Sequence, residues 1–485
     1  MSRAGRARIP LLRRGQPYWS LERVTLPNIA TGEPVAEVSQ ANPGLIGRDL
    51  AGSAVATALG AFSTRELLAL AVRAGELFRS AELPLGEGSQ SPDDYVAQLS
   101  ATTGMPRSLV RANREKICSM LARLPEVLAG LSRGVEPEIL DQGFGFEQGR
   151  RLSFRRETDW LGLVLPSNSP GVHALWLPAI ALKVGWAIRP GRQEPWTPYR
   201  IAQAFLAAGL PGEALGFYPS SHAGALEILL RCGRSMLFGD RDTVAPWQSD
   251  PRVEIHGPGW SKVLLGRDAA AEWPRHLELL ATSVAANGGR SCFNASGVWT
   301  SSHGRELAQA LAERLAGIPA RGLEDPAAEL AAMPSRAAAE RLSAHLDRLL
   351  EAGGAVDLSA PLRGPRLVEV EGCAFLLPTV VWLTDPEHPL AQTELLFPFV
   401  SVVEVPQEQI LERMGPALVA TALGEDSGWR QEILASPKID RLNLGPIPTP
   451  QIAWDQPHEG NLFDLLVRRR SFGLAEPAAA AGGAR

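Results

Sequence analysis

Apolar residues recur at helical spacing in several long stretches of the chain and gather into short runs elsewhere. Ser63-Thr64-Arg65-Glu66 has the form of a capping box, and Leu67, Leu70, Ala71, Ala74, Leu77 and Phe78 then fall on one face. This predicts an amphipathic helix. A second helix is predicted over residues 108–124, with Pro125 ending or kinking it, because a proline ring clashes with the preceding turn. From about residue 151 the texture changes. The apolar run 161–165 is stopped by Pro166-Ser167-Asn168-Ser169-Pro170, and a helix-like segment follows over 173–184. Residues 186–188 read as a strand halted at Arg189-Pro190-Gly191, and residues 198–208 as a helix ended by Gly209-Leu210-Pro211-Gly212. Residues 216–218 and 235–238 complete the series. Alternating strands and helices with short connections predict a parallel, doubly wound sheet with a nucleotide-type site at its strand ends. No GxGxxG fingerprint accompanies it.

After residue 253 the pattern restarts. Residues 262–265, 379–383 and 400–405 read as strands, and 269–285, 304–316 and 337–352 as helices, with an Ala/Glu/Pro-rich loop over 320–335. This second block has enough apolar residues for a core of its own.

At 485 residues the chain can hold two large domains or three smaller ones. A formal charge of −5 gives no global reason to expect nucleic acid or an anionic membrane as partner. No apolar run reaches the roughly 20 residues of a membrane span, so a cytoplasmic, reducing location is the default expectation. Arg3, Arg6, Arg8, Arg13 and Arg14 suggest a flexible basic arm, and the Ala/Gly tail 478–485 a frayed end.

The four cysteines have no CxxC or zinc-type spacing, so neither a metal site nor a disulfide framework is expected. Cys118, Cys232 and Cys373 adjoin apolar runs and read as small buried hydrophobes. Cys292 differs. It closes the polar turn Asn287-Gly288-Gly289-Arg290-Ser291-Cys292, just before a run that enters a core as a strand. A thiol on such a turn can be reached by substrate, and attack on a carbonyl needs a thiolate with donors for the oxyanion that forms.

Taken in order, these segments resemble the aldehyde dehydrogenase superfamily over about residues 40–470. LGLVLPSNSP (161–170) is similar to that family's strand and Pro-x-Asn-x-Pro turn, and WAIRPGRQEP (186–195) to its second nucleotide-domain strand. AGLPG (208–212), NGGRSC (287–292), GCAFLLPTVV (372–381), TELLFPFVSVVEV (393–405) and TGMP (103–106) resemble further family motifs in the same order. The resemblance implies an α/β, aldehyde-dehydrogenase-like fold. It would have a doubly wound cofactor domain (1–256 and 444–459, with an oligomerisation hairpin near 140–155), an α/β catalytic domain (257–443) and a small oligomerisation element at 460–485. It also implies a homodimer or tetramer.

By the same resemblance Cys292 is the nucleophile, and the Asn168 side-chain amide and the Cys292 N–H bind the oxyanion. Pro166, Ser167, Arg189, Arg192, Gly239 and Glu394 fall at cofactor-binding positions, Glu394 as the carboxylate that hydrogen-bonds the nicotinamide ribose. Arg189 stands where the family usually has lysine and Arg192 where it often has glutamate. A guanidinium there favours a 2′-phosphate, which leans towards NADP, or dual use, over strict NAD. The ordinary alternatives are an Asx turn for Asn168, a solvated charge for Glu394 and a solvent-facing Arg192.

The chain also departs from the family. Hydrolytic members carry a Glu-Leu-Gly-Gly glutamate that activates water, whereas aligning VEIHGPGW (253–260) on Gly257 puts Ile255 at that position. Glu254 is one residue off, which on a strand reverses its face. His256 has the chemistry of a base. The Gly-Pro-Gly turn instead resembles CoA-acylating members, in which coenzyme A takes the acyl group. Three readings follow: an acylating dehydrogenase with aldehyde or acyl-CoA as substrate and CoA as co-substrate, which is favoured here; a hydrolytic dehydrogenase releasing free acid; and a catalytically silent scaffold, suggested by the replacements at Arg189, Arg192, Ile255 and Thr393.

Overall fold

The computed structural model describes residues 7–52 and 54–474; Arg3, Arg6 and the tail 478–485 lie outside them. The first sheet contains β1 (Leu11–Arg13), β2 (Gln16–Tyr18), β3 (Trp160–Val164), β4 (Gly185–Arg189), β5 (Leu215–Phe217), β6 (Arg234–Phe238) and β7 (Val253–His256). Its strand order is β7-β6-β3-β4-β5-β1-β2, parallel from β7 to β5. The chain winds outward from β3 through β4 to β5, then returns to lay β6 on the other side of β3. The topological switch therefore lies between β3 and β6, where open α/β sheets leave a crevice at their carboxyl ends. Leu165-Pro166-Ser167 and Gly239 follow those two strands.

The basic arm is corrected in part. Residues 7–9 and 11–13 are strands, and Arg13 forms a 2.6 Å ion pair with the buried Asp49. Edge pairing of β1 with β5 and that buried partner order a segment whose charge alone suggested mobility.

The second sheet comprises β8 (Lys262–Leu265), β9 (Gly297–Thr300), β10 (Ala355–Asp357), β11 (Thr379–Leu383), β12 (Phe399–Glu404), β13 (Ala417–Leu423) and β14 (Ile439–Leu444). Its order is β10-β11-β12-β9-β8-β13-β14, with only β10 antiparallel. Alternation divides its side chains between two cores. Val263, Val298 and Val402 pack on one face, and Leu264, Trp299 and Val403 on the other.

The expected helices form as α1 (Thr64–Ser80), α2 (Arg107–Ala122), α3 (Trp196–Ala208), α4 (Leu277–Ala285), α5 (Gly304–Ala316) and α6 (Arg336–Glu351). Both halves of the capping box close on Ser63 and Glu66. Pro125 does end its helix and opens a short one, Leu124–Leu131. Two expectations fail at prolines. Residues 173–184 form 3-10 turns starting at Pro170 and around Pro178, and the run 269–285 breaks around Pro274 into a short helix, Arg267–Ala271, and α4. A proline lacks the N–H a continuing helix needs. The hairpin Phe144–Glu147/Arg150–Arg156 forms as expected, and Val467–Arg469 pairs antiparallel with its second strand.

Candidate active site

The turn bearing Cys292 follows α4 and leads into β9. Asn287 and Gly288 adopt left-handed backbone conformations (φ 55° and 67°), and Gly289 follows at 70°. Gly289 is obligatory on a second ground, since a Cβ there would collide with the Phe397–Pro398 peptide. The turn is thus pressed against the segment after Glu394, and its glycines are what permit the approach.

A polar knot holds the turn in place. Asn113 on α2 donates to Asn287 Oδ1 at 2.7 Å, and Asn287 Nδ2 donates to Ser169 Oγ and Ser291 Oγ, each at 3.0 Å. Ser169 Oγ donates in turn to Asn113 Oδ1 at 3.2 Å. Three distant segments therefore share one network, and each buried amide is satisfied by another. Asn168 Nδ2 donates to the Arg290 carbonyl at 2.8 Å. One amide hydrogen is engaged within the turn, and the amide oxygen is buried with no partner among the described residues. Among the described residues, no acceptor takes the Cys292 N–H. Cys118, Cys232 and Cys373 are buried, and Cys292 alone of the four keeps partial exposure.

Opposite the thiol lies the turn after β7. A Cβ on Gly259 would collide with the Cys292 carbonyl, and Ser261 Oγ donates to that carbonyl at 2.7 Å. Trp260 sits at φ 45°, unusual for a bulky residue, and its N–H donates to Glu394 Oε2 at 2.6 Å. The Glu394 carboxylate thus accepts from the backbone of this loop through Oε2. Burial pushes its pKa up to about 7 despite the Trp260 and Gly259 N–H groups.

The contact that sequence reasoning missed is Glu459. Its Oε2 lies 3.8 Å from Cys292 Sγ. It comes from the irregular stretch after β14 and aligns with no motif read in the sequence; only its position before the left-handed Gly460 marks it. Behind it stands His256. His256 Nδ1 is 3.1 Å from Glu459 Oε1, and its Nε2 is 3.2 Å from Glu254 Oε1. These are ion-pair distances without hydrogen-bond alignment. The ring stacks on Phe238 at 4.3 Å. Burial opposes the imidazolium, but the two carboxylates outweigh it and raise His256 to about 9. His256, which has the chemistry of a base, turns its two ring nitrogens towards the carboxylates of Glu459 and Glu254.

The Cys292 pKa is raised well above the ordinary value, first by burial, then by Glu459 and Glu394; Lys116 and Arg441 pull it back. The resting sulfur is a thiol. Glu459 is the acceptor at hand for its proton.

At the first sheet, Ser167 Oγ accepts from the Gln193 N–H at 3.1 Å, and Gly191 is packed so tightly on Pro166 that a Cβ would collide with its carbonyl. Arg189 ends β4 and donates from Nε to the Ser220 carbonyl at 3.4 Å, while Arg192 is exposed. Burial, then the nearby Arg192 charge, lower the Arg189 pKa. Among the described residues no carboxylate pairs with either. Gly239 has a packing reason, because a Cβ would press on Thr243. Among the described residues no cluster of side chains suits a metal ion.

A model of the aldehyde dehydrogenase family matches residues 20–414. The chain is 24% identical over 394 residues to 5-carboxymethyl-2-hydroxymuconate semialdehyde dehydrogenase of Escherichia coli, covering 79% of this chain and 80% of that protein. It is 26% identical over 447 residues to betaine aldehyde dehydrogenase of Cereibacter sphaeroides, covering 87% and 86%. Among solved structures, an indole-3-acetaldehyde dehydrogenase from P. syringae in complex with NAD+ superposes with a TM-score of 0.77 at 15% identity, over 97% of each chain. An NADP-dependent enzyme from E. coli does so at 0.75 and 15%, over 96% and 98%. At such identities these two likenesses concern the fold.

Proposed function

The chain belongs to the aldehyde dehydrogenase family, and from that premise we propose a hydrolytic, NADP-preferring dehydrogenase in which Glu459 replaces the missing family base. The observation that carries this reading is the 3.8 Å contact of Glu459 with Cys292 Sγ. The acylating reading rested on the lack of an acid at Ile255 and on the Gly-Pro-Gly turn; with a carboxylate supplied from elsewhere in the chain, the first of these reasons for coenzyme A lapses. The curated relatives bear the names of aldehyde and semialdehyde dehydrogenases, which is in keeping with the release of free acid.

In the proposed sequence Glu459 takes the thiol proton, and Cys292 sulfur adds to the aldehyde carbon. The second Asn168 amide hydrogen and the Cys292 N–H receive the oxyanion. Each such donor typically contributes about 3–4 kcal/mol in the transition state. The dinucleotide fits this chain at the switch-point crevice, with Ser167 and Gly239 at its strand ends and the Arg189/Arg192 pair at the end of the neighbouring β4; when bound, it supplies hydride acceptance. The acyl group then rests on Cys292 as a thioester. Glu459 gives up the thiol proton to solvent and then takes one from water as the oxygen attacks; the C–S bond breaks, that proton passes to the departing sulfur, and free carboxylic acid leaves.

Support for NADP comes from two neighbouring guanidiniums without a carboxylate partner, a charge a 2′-phosphate would neutralise. The relatives' names point to substrates of opposite charge, a carboxylated semialdehyde and betaine aldehyde, and so do not choose between them. A homodimer or tetramer through the 144–156 hairpin remains part of the proposal, supported by Phe146 at 58% exposure on its surface. A cytoplasmic location likewise stays a proposal.

The test is NADPH formation from an aldehyde panel with and without CoA, by the native protein and Cys292→Ala. Turnover without CoA that yields free acid and vanishes in the variant is the expected result. An absolute CoA requirement would restore the acylating reading, and activity in Cys292→Ala would refute both. No activity in the native protein leaves the silent scaffold.

A further inference from the structure

Two cations converge beside Cys292, and among the described residues neither forms an ion pair. Phe293, adjacent to Cys292, has Lys116 Nζ from α2 at 5.5 Å from its ring centroid and the Arg441 guanidinium from β14 at 4.7 Å. Arg441 Nη2 donates to the Thr449 carbonyl, but Nε and Nη1 are buried with no acceptor. Lys116 has neither a hydrogen bond nor an ion pair among the described residues. His458, its ring 6.5 Å from Phe293, adds no compensating charge: burial, then Arg441 and Lys116, hold it neutral, its pKa down to about 3. Burial lowers Lys116 to about 8, and the other groups that act on it are the Cys292 thiol and Arg441. No carboxylate is among them, whereas Arg441 feels one, Glu459, besides the Cys292 thiol.

Keeping two desolvated cations unpaired is costly, and it needs a compensating anion. The thiolate is an insufficient one, since both charges together still leave the Cys292 pKa well above its ordinary value. We propose that Lys116 and Arg441 form a subsite for a carboxylate at the far end of the aldehyde, so that the substrates are semialdehydes of short dicarboxylic acids. This rests on the reading of Cys292 as nucleophile. The Phe293 ring supplies an apolar wall for the methylenes between the two functional ends. Lys116, whose amine is not among the solvent-shielded unpartnered atoms, makes the direct contact, and Arg441 adds charge behind it. The same charges repel a trimethylammonium aldehyde. Lys116 and Arg441 come from opposite ends of the chain, which is why no local motif announces them.

The experiment compares kcat/KM for succinate semialdehyde, butanal, betaine aldehyde and glyceraldehyde 3-phosphate, and measures glutarate binding by calorimetry as a readout independent of turnover. The native enzyme should prefer the semialdehyde to butanal by about a hundredfold, the scale of one strong charge-assisted contact. Lys116→Met should cut that semialdehyde-to-butanal ratio roughly tenfold or more, whatever it does to both rates through the Cys292 thiol, and Lys116→Arg should keep most of it. Arg441 holds Thr449 and its replacement risks the fold, so Lys116 carries the test. Equal rates with semialdehyde and butanal, or loss of semialdehyde and butanal activity in parallel in Lys116→Met, would overturn the subsite. Preference for the phosphate-bearing aldehyde would overturn the carboxylate assignment, as would absence of glutarate binding. Glutarate binding that depends on Lys116, in a protein that oxidises no aldehyde, would uphold the subsite and sink the dehydrogenase reading instead.

Discussion

Glu459→Gln should make the Cys292 thiol more reactive and the enzyme slower. The carboxylate lies 3.8 Å from the sulfur. At an effective dielectric of about 20, two unit charges at that separation repel by about 4 kcal/mol, or roughly three pKa units, as an upper bound. Glutamine keeps the shape and removes the charge, and it also removes one of the two carboxylates that hold His256 protonated. The pH at which iodoacetamide alkylates Cys292 should therefore fall by a unit or more in round terms, with about tenfold faster alkylation near neutral pH. Turnover should move the other way. Without a base, water attack on the thioester should slow by roughly two orders of magnitude or more. The variant should then release one equivalent of NADPH in a burst and accumulate an acylated protein visible by intact mass. An unchanged alkylation profile would show that the contact carries no electrostatic weight. Steady-state turnover near the native rate, with no acyl adduct, would remove Glu459 from the mechanism altogether.

Three further outcomes are expected. Gly259→Ala drives a methyl into the Cys292 carbonyl, so the protein should lose about 1–3 kcal/mol in thermal or urea unfolding and most of its activity; native stability would refute that packing argument. Arg192→Glu should lower the NADP-to-NAD ratio of kcat/KM by about tenfold or more, and an unmoved ratio would mean this guanidinium faces solvent only. His256 titrates near 9 in the fold against 6.5 outside it. Its pairing with Glu459 and Glu254 is fully expressed below pH 6.5 and is lost as pH rises through about 9, on the order of 3 kcal/mol. His256→Gln should flatten the fall of Tm across that window, and an identical slope in the native protein and the variant would refute the pairing.

Local pattern was enough for most elements, because period, caps and prolines act within a few residues. It placed α1 with its capping box, β3 to β6 of the first sheet and the break at Pro125. It failed at Pro170, Pro178 and Pro274, where apolar spacing suggested one helix but missing N–H groups left 3-10 turns. The ordered β1 escaped it too, since its partners, β5 and Asp49, are distant in sequence.

Around the thiol, the amino-acid order by itself determined the nucleophile's turn, because Asn287, Gly288 and Gly289 occupy backbone conformations that few other residues adopt, and the motifs identify the family through their succession. It also showed an acid missing at Ile255. Tertiary structure alone decided what stands in its place. Glu459, His256, Lys116 and Arg441 lie on four separate segments, and a charge's effect on a sulfur depends on distance through space and on the water excluded between them, neither of which is written along a chain.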